Sequence, residues 1–197
     1  MDYNVLSWIS RVFGESKFVA VLARIFSFIG DKWGMIALVG LLLCFKKTRK
    51  AGIYVMIAGG LTWVFNDLIL KMIIKRDRPF VSHPELENMC KLAGETLPDG
   101  YSMFSGHSAT AMAVAVAIMF FSRKWGSVAI VMAVLIGVSR LVLCVHYPSD
   151  VLGGLVIGAV LSIGLHYLTN LGFKILNSFK EMKNEKNSVS NKKSTQD

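Results

Sequence analysis

Apolar stretches fill most of the chain between residues 17 and 172. A bilayer core offers no hydrogen bonds to the backbone, so segments of this kind have almost no option but helix. Six of them can be delimited: residues 17–30, 33–45, 51–74, 106–121, 125–145 and 150–172. A crossing needs about 20 apolar residues, with a range of about 17–25. The first two segments fall short of this, and the first also carries Arg24. Composition agrees with lipid as the solvent: 53% of residues are hydrophobic and 18% charged, against about 25% charged in soluble domains. The expected fold is therefore all-α, a polytopic membrane bundle of about six transmembrane helices.

A net charge of +9 raises the question of nucleic acid, and its distribution answers against that partner. The cations lie in short runs beside apolar segments: Lys46, Lys47, Arg49 and Lys50, then Arg123 and Lys124, then a Lys-rich tail from Lys174. Cytoplasmic loops carry such runs under the positive-inside rule. With these loops inside, six crossings put both termini in the cytoplasm and leave residues 75–105 and 146–149 on the outer face of the cell membrane. Five crossings would put the N-terminus outside.

The start, MDYNVLSWISRVFGES, has neither the basic opening nor the cleavage site of a signal peptide. Its apolar residues recur at helical spacing, so residues 1–16 read as an interfacial amphipathic segment. Residues 17–173 form the membrane domain, and residues 174–197 a basic tail whose composition favours disorder. Three cysteines without a CxxC pair argue against a thiolate metal site or a disulfide framework. A bridge between Cys90 and Cys144 stays open, since both fall near the outer face. The sequence assigns no oligomeric state.

Three clusters put polar groups inside or at the ends of apolar segments, where they are costly and point to function. The first runs from Lys71 to Arg78-Pro79. Lys71 and Arg78 would share one side of a continuing helix, and Pro79 should end that helix near Arg78. Asp67, four residues before Lys71, is placed to neutralise it. The second is Phe104-Ser105-Gly106-His107-Ser108. Ser105 suits an N-cap, and the free N–H groups behind it make a ready anion site that Gly106 lets an anion approach. The third runs Ser139-Arg140 to His146-Tyr147-Pro148-Ser149-Asp150. Arg140 inside an apolar helix needs an anionic partner. Asp150 can bond one ring nitrogen of His146 and leave the other as nucleophile or base, and it can also cap the last helix.

The basic loops share no residue with these clusters, yet the orientation they set brings all three to one face. Two histidines, three cations and a helix N-terminus then converge. Guanidinium groups suit bidentate phosphate binding and lysine a point charge. No carboxylate cluster has the makings of a magnesium site, and no His/Cys set has zinc spacing. Phosphoryl transfer through a phosphohistidine, without metal or other cofactor, is the chemistry that fits.

The same residues resemble those of the type-2 phosphatidic acid phosphatase superfamily, whose pattern is K-x6-RP, PSGH and SR-x5-H-x3-D. The match is Lys71, Arg78 and Pro79; Ser105, Gly106 and His107; and Ser139, Arg140, His146 and Asp150. Phe104 stands where that family usually has proline. The resemblance covers roughly residues 50–170. It implies that His146 is the nucleophile, Asp150 its orienting carboxylate, and His107 the acid that protonates the leaving oxygen and later activates water. It implies that Lys71, Arg78, Ser105, the Gly106 amide and Arg140 hold phosphate. It further implies a membrane lipid phosphate as substrate, with a polyprenyl diphosphate such as undecaprenyl diphosphate first and phosphatidate or phosphatidylglycerophosphate next. A transporter lined by Lys71 and Arg140, or a lipid-binding protein without catalysis, are the readings from other classes. Against the first, the cations gather at one face; against the second, every chemical role has an occupant.

Overall fold

The computed structural model describes the backbone of residues 2–194 and the side chains of residues 2–181. It is helical, with no strand among the described residues. The chain runs α1 (Asp2–Phe13), α2 (Lys17–Gly30), α3 (Lys32–Cys44), α4 (Arg49–Trp63), a wide π-helical stretch (Val64–Leu70), α5 (Lys71–Ile74), α6 (Pro79–Ser82), α7 (Asn88–Ala93), α8 (Gly106–Met119), α9 (Arg123–Val142) and α10 (Pro148–Ser194). Its contacts divide it into Met1–Ser162, which holds the bundle, and Ile163–Asp197, which contains the distal part of α10. Within the second unit the basic stretch after residue 174 continues as helix to Ser194, where composition alone favours disorder; residues 195–197 lie outside the described residues.

The chain is a multi-pass membrane protein. Ile36, Leu41, Val128, Val131 and other large apolar side chains of α3 and α9 are exposed, a surface suited to lipid. Three helical stretches, Arg49–Ser82 (interrupted after Ile74), Arg123–Val142 and Pro148–Glu181, are long and apolar enough to cross a bilayer. The two short segments expected as separate crossings are a pair, α2 and α3, bent by 51° at Asp31. At about 1.5 Å per residue neither reaches the roughly 30 Å of a hydrocarbon core, whereas the two together do. Ser16 caps α2 by accepting the Val19 N–H. Asp31 is extended between the two helices, which is where the chain bends.

Helix α8 forms the centre. Its buried face is rich in small residues, including Ala109, Ala111, Ala113, Ala115 and Ala117, which lets neighbouring backbones come close. The first turns of α10 exploit this through glycine. A Cβ at Gly158 would stand 2.1 Å from the Ala109 carbonyl oxygen, and one at Gly154 would stand 2.7 Å from that of Ser105. These two glycines are packing residues, as small-xxx-small spacing suggests.

The outer segment between α5 and α8 is folded. After α6 it makes a 3₁₀ turn (Pro84–Glu87) and α7, which Gly94 ends in the left-handed conformation at φ +66°. Met89, Cys90 and Ala93 of α7 pack with Ala20 and Ala23 of α2 and with Leu143 and Val145. Leu6 and Ile9 of α1 pack with Leu86, Cys144 and Tyr147. Cys90 and Cys144 are both free and belong to these separate clusters, so no bridge joins them.

Gly158→Val is expected to lower stability by about 1–3 kcal/mol, because a close-packed site cannot absorb the added methyls. Thermal unfolding in detergent measures this. Gly40→Ala on α3, where a Cβ meets nothing within 4 Å, should leave the transition within about 0.5 kcal/mol of the parent.

Candidate functional site

Three places where helices are interrupted build the site. The first lies at the end of α5. Lys75 adopts φ +51° and stops the helix after Ile74, four residues before the end that Pro79 implies. The chain then turns and brings Arg78 back in extended conformation, so Lys71 and Arg78 reach the site from opposite sides of a turn. The second is the start of α8, where Ser105 caps the helix by accepting the Ser108 N–H. The third is the turn from α9 to α10, with Cys144 at φ +56° ahead of His146.

A cavity of about 680 Å³ opens between these elements, lined by Lys71, Arg78, Gly106, His107, Arg140 and His146 among others. Two of the expected residues stand behind its wall. Ser105 is fully buried; its hydroxyl caps α8, and its N–H donates to the Asp150 backbone carbonyl at 3.0 Å. Asp150 is fully buried behind His146.

His146 does not touch Asp150 directly: Nδ1 lies 3.7 Å from Oδ2. Ser102 fills the gap. Its hydroxyl is 3.3 Å from His146 Nδ1 and donates a short hydrogen bond to Asp150 Oδ2. The same carboxylate oxygen accepts the Tyr147 N–H at 2.9 Å, and Oδ1 accepts from Arg76 at 2.8 Å. On the other side of the ring, Nε2 lies 3.3 Å from Arg78 Nη1. A proton on Nδ1 facing Ser102, with the Nε2 lone pair turned to Arg78 and the cavity, satisfies every partner. Burial is the largest influence on this imidazole; Asp150 opposes it, Arg78 and Arg140 reinforce it, and the net effect is a pKa of about 3. The ring is neutral at ordinary pH, as a nucleophile must be.

The cations are held in different ways. Arg78 donates to the carbonyls of Gly100 (3.0 Å), Val145 (3.1 Å) and Asp99 (3.1 Å). Of its five N–H groups, one on Nη2 is left over and one faces His146 Nε2. Arg140 donates to Ser27 Oγ and lies 3.7 Å from Glu95, while its buried Nε has no partner. An orphaned donor in an apolar bundle suits an incoming anion. Lys71 is paired with Asp67, as its spacing suggested. His107 faces the cavity. Asn66 donates to Asp67 (3.0 Å) and to the Phe104 carbonyl (3.1 Å), tying the wide turn that precedes the first cluster to the loop before α8. Phe104 packs its ring where a Cβ at Gly153 would come within 2.2 Å, so this aromatic residue is matched by a glycine on α10.

Ser102 and Arg76 are absent from the sequence reading. Ser102 sits in a polar loop with no spacing that links it to residue 150, and Arg76 lies in a run of charges that reads as an interfacial anchor. The position of the N-terminus also differs from expectation. Arg76 Nη2 donates to Asp2 at 2.9 Å and Ser149 donates to Asp2 as well, so the N-terminal helix lies on the face of the site and not on the opposite one. Counting the bent pair α2 and α3 as one span instead of two agrees with this.

Known proteins resemble this chain in sequence and fold. A family model described as the PAP2 superfamily matches residues 47–173. An undecaprenyl-diphosphatase of Sulfolobus acidocaldarius is 34% identical over 134 residues, which span 68% of this chain and 62% of that protein. Undecaprenyl-diphosphatase BcrC of Bacillus subtilis is 30% identical over 166 residues, 82% of this chain and 80% of its own. Among solved structures, a transmembrane PAP2-type phosphatidylglycerolphosphate phosphatase of Bacillus subtilis aligns with a TM-score of 0.67 at 23% identity, covering 86% of this chain and 84% of that one. LpxE of Aquifex aeolicus aligns with a TM-score of 0.64 at 21% identity, covering 82% and 92%.

The depressed pKa of His146 has a consequence for stability. As pH falls from about 6.5 toward 3, the unfolded chain takes up a proton that folded His146 refuses, so stability drops through that window. Between pH 7 and pH 5 the parent should lose roughly 2 kcal/mol more than His146→Gln, read from thermal unfolding of both proteins at the two pH values.

Proposed function

Because this chain belongs to the PAP2 superfamily, we propose that it is a metal-independent phosphatase of membrane lipids acting through a phosphohistidine. The observation that carries this reading is the neutral imidazole of His146, backed by Ser102 and Asp150, with Nε2 turned to a cavity lined by cations. Nε2 attacks the terminal phosphorus, a P–N bond forms, and the P–O bond to the lipid breaks. His107 gives its proton to the leaving oxygen. It then takes one from water, which attacks the phosphohistidine, breaks the P–N bond and frees inorganic phosphate. Lys71, Arg78, Arg140 and the Gly106 amide hold the phosphate oxygens and stabilise the charge that builds on them. These groups bring the positive charge that a metal brings elsewhere. Ser105 acts by shaping the start of α8.

We place the site at the outer membrane face. The runs at Lys46–Lys50 and at Arg123 and Lys124 follow or precede the helix ends away from the site, where the positive-inside rule puts the cytoplasm. Asp2, held beside Asp150 through Arg76, then lies outside too.

The substrate favoured is a polyprenyl diphosphate of the undecaprenyl class. The cavity extends from the charged end into an apolar arm lined by Met35, Ile36, Val39, Val55, Met56 and Trp63. A second apolar cavity of about 750 Å³, bordered by α3, α8 and α9, shares Met35 and Val114 with the first. Adjoining apolar cavities of these volumes offer room for a long polyprenyl chain. Two relatives bearing the name undecaprenyl-diphosphatase support the same choice.

The test is phosphate release by the purified protein in EDTA from undecaprenyl diphosphate, farnesyl diphosphate, phosphatidate and phosphatidylglycerophosphate. Undecaprenyl diphosphate should be preferred, His146→Ala should be inactive, and His107→Ala should fall by about 10²–10⁴. Val114→Trp should raise KM for undecaprenyl diphosphate and leave farnesyl diphosphate unchanged. A folded protein that hydrolyses none of the four would sink the reading.

A further inference from the structure

Asp150 is a carboxylate with no exposed surface, and the imidazole in front of it is neutral. A buried charge without a counter-charge is strongly disfavoured and takes up a proton instead. The neutralising partner is Arg76, which stands outside the K-x6-RP, PSGH and SR-x5-H-x3-D residues. Its Nη1 donates to Asp150 Oδ1 at 2.8 Å and to Ser149 Oγ at 2.6 Å. Its Nη2 donates to Asp2 at 2.9 Å. The guanidinium lies over the Tyr147 ring at 4.0 Å. Its backbone carbonyl accepts the Ser102 N–H at 2.8 Å. One residue thus holds both groups that face His146 Nδ1, the serine by its main chain and the carboxylate by its side chain.

We propose that Arg76 is a positioning residue of this site, which keeps Asp150 ionised and Ser102 in place, and that Asp2 of α1 completes the clamp. Ionised Asp150 accepts the Ser102 proton, so the serine oxygen is left to accept from His146 Nδ1–H, and the lone pair stays on Nε2. Protonated Asp150 would donate instead and break that order. The charged and titratable groups around Asp150 are His146 in its own turn, Arg76 and Arg78 from the segment after α5, and Asp2 from α1. Arg140 of α9 acts on the same imidazole. From α8 only the Ser105 N–H arrives. Removing Arg76 therefore takes away, among the described residues, the one permanent cation in contact with the carboxylate. Because Asp2 shares Arg76, the N-terminal helix is part of the assembly that sets the nucleophile, and not merely a surface anchor.

This inference rests on His146 being the nucleophile, and the experiment separates the two claims. Phosphate release from undecaprenyl diphosphate is measured against pH for the parent, Arg76→Ala, Arg76→Lys and Asp2→Asn. Arg76→Ala should lose roughly 10- to 100-fold in kcat, the range seen when groups orienting a reactive ligand are removed, with KM changed by less than about 3-fold. The acid limb of its profile should move up by at least about one pH unit as the unpaired carboxylate protonates. Arg76→Lys, which restores the charge, should recover most of kcat and the parent limb. Asp2→Asn, which removes an anion that repels Asp150 and shares Arg76, should move the limb the other way, toward lower pH, by less. Uniform loss at all pH values, a rise in KM at constant kcat, or Arg76→Lys as impaired as Arg76→Ala would overturn the proposal. Should Arg76→Ala fail to fold, the Arg76→Lys and Asp2→Asn limbs decide it. A parent inactive on every lipid refutes the phosphatase reading itself, whereas an active parent with unmoved limbs refutes only the role of Arg76.

Discussion

Everything at this site depends on how a fully buried carboxylate is kept charged. Asp150 accepts from Arg76, Ser102 and the Tyr147 N–H, and its own backbone carbonyl takes the Ser105 N–H. Those four partners come from three separate stretches of chain: the segment after α5, the loop and cap before α8, and the turn into α10. Desolvating a carboxylate is tolerable only with partners at good geometry. The need to satisfy Asp150 therefore pins the three stretches together, and the cation-lined face of the cavity is a by-product of that pinning.

The rest of the bundle serves the same end. Ala-rich α8 and the glycines at the start of α10 let the two helices approach until Ser105 can reach Asp150. The wide turn at Val64–Leu70 directs Asn66 to the Phe104 carbonyl and Asp67 to Lys71; such turns inside helices are frequent at functional sites. Arg78 is pinned by three carbonyls before any ligand arrives. Donors fixed in advance need little reorganisation when charge develops on a phosphoryl group.

What could be read from the sequence follows from cost. Lys71, Arg78, His107, Arg140 and His146 stood out because ionisable groups in apolar segments demand a reason, and they do line one cavity. Ser105 was legible as a cap because caps obey local rules. Ser102 and Arg76 were not legible. Their partners lie 48 and 74 residues away, and neither is unusual in its local setting. The bend at Asp31 was read as a break between two crossings, since Asp-Lys between apolar runs looks like an interface. That reading placed the N-terminus on the wrong side of the bundle relative to the site, and only the contact of Asp2 with Arg76 and Ser149 revealed the difference.

The central claim is that His146 Nε2 bonds to phosphorus during turnover. The direct measurement is to mix the enzyme with undecaprenyl diphosphate labelled with ³²P in its terminal phosphate, quench in alkali within one turnover, and map the label. The account predicts acid-labile, alkali-stable label on the peptide that holds His146, accumulating further in His107→Ala, where the intermediate loses the base that activates water. Label on another residue, or none at any quench time in an enzyme that releases phosphate, would contradict it.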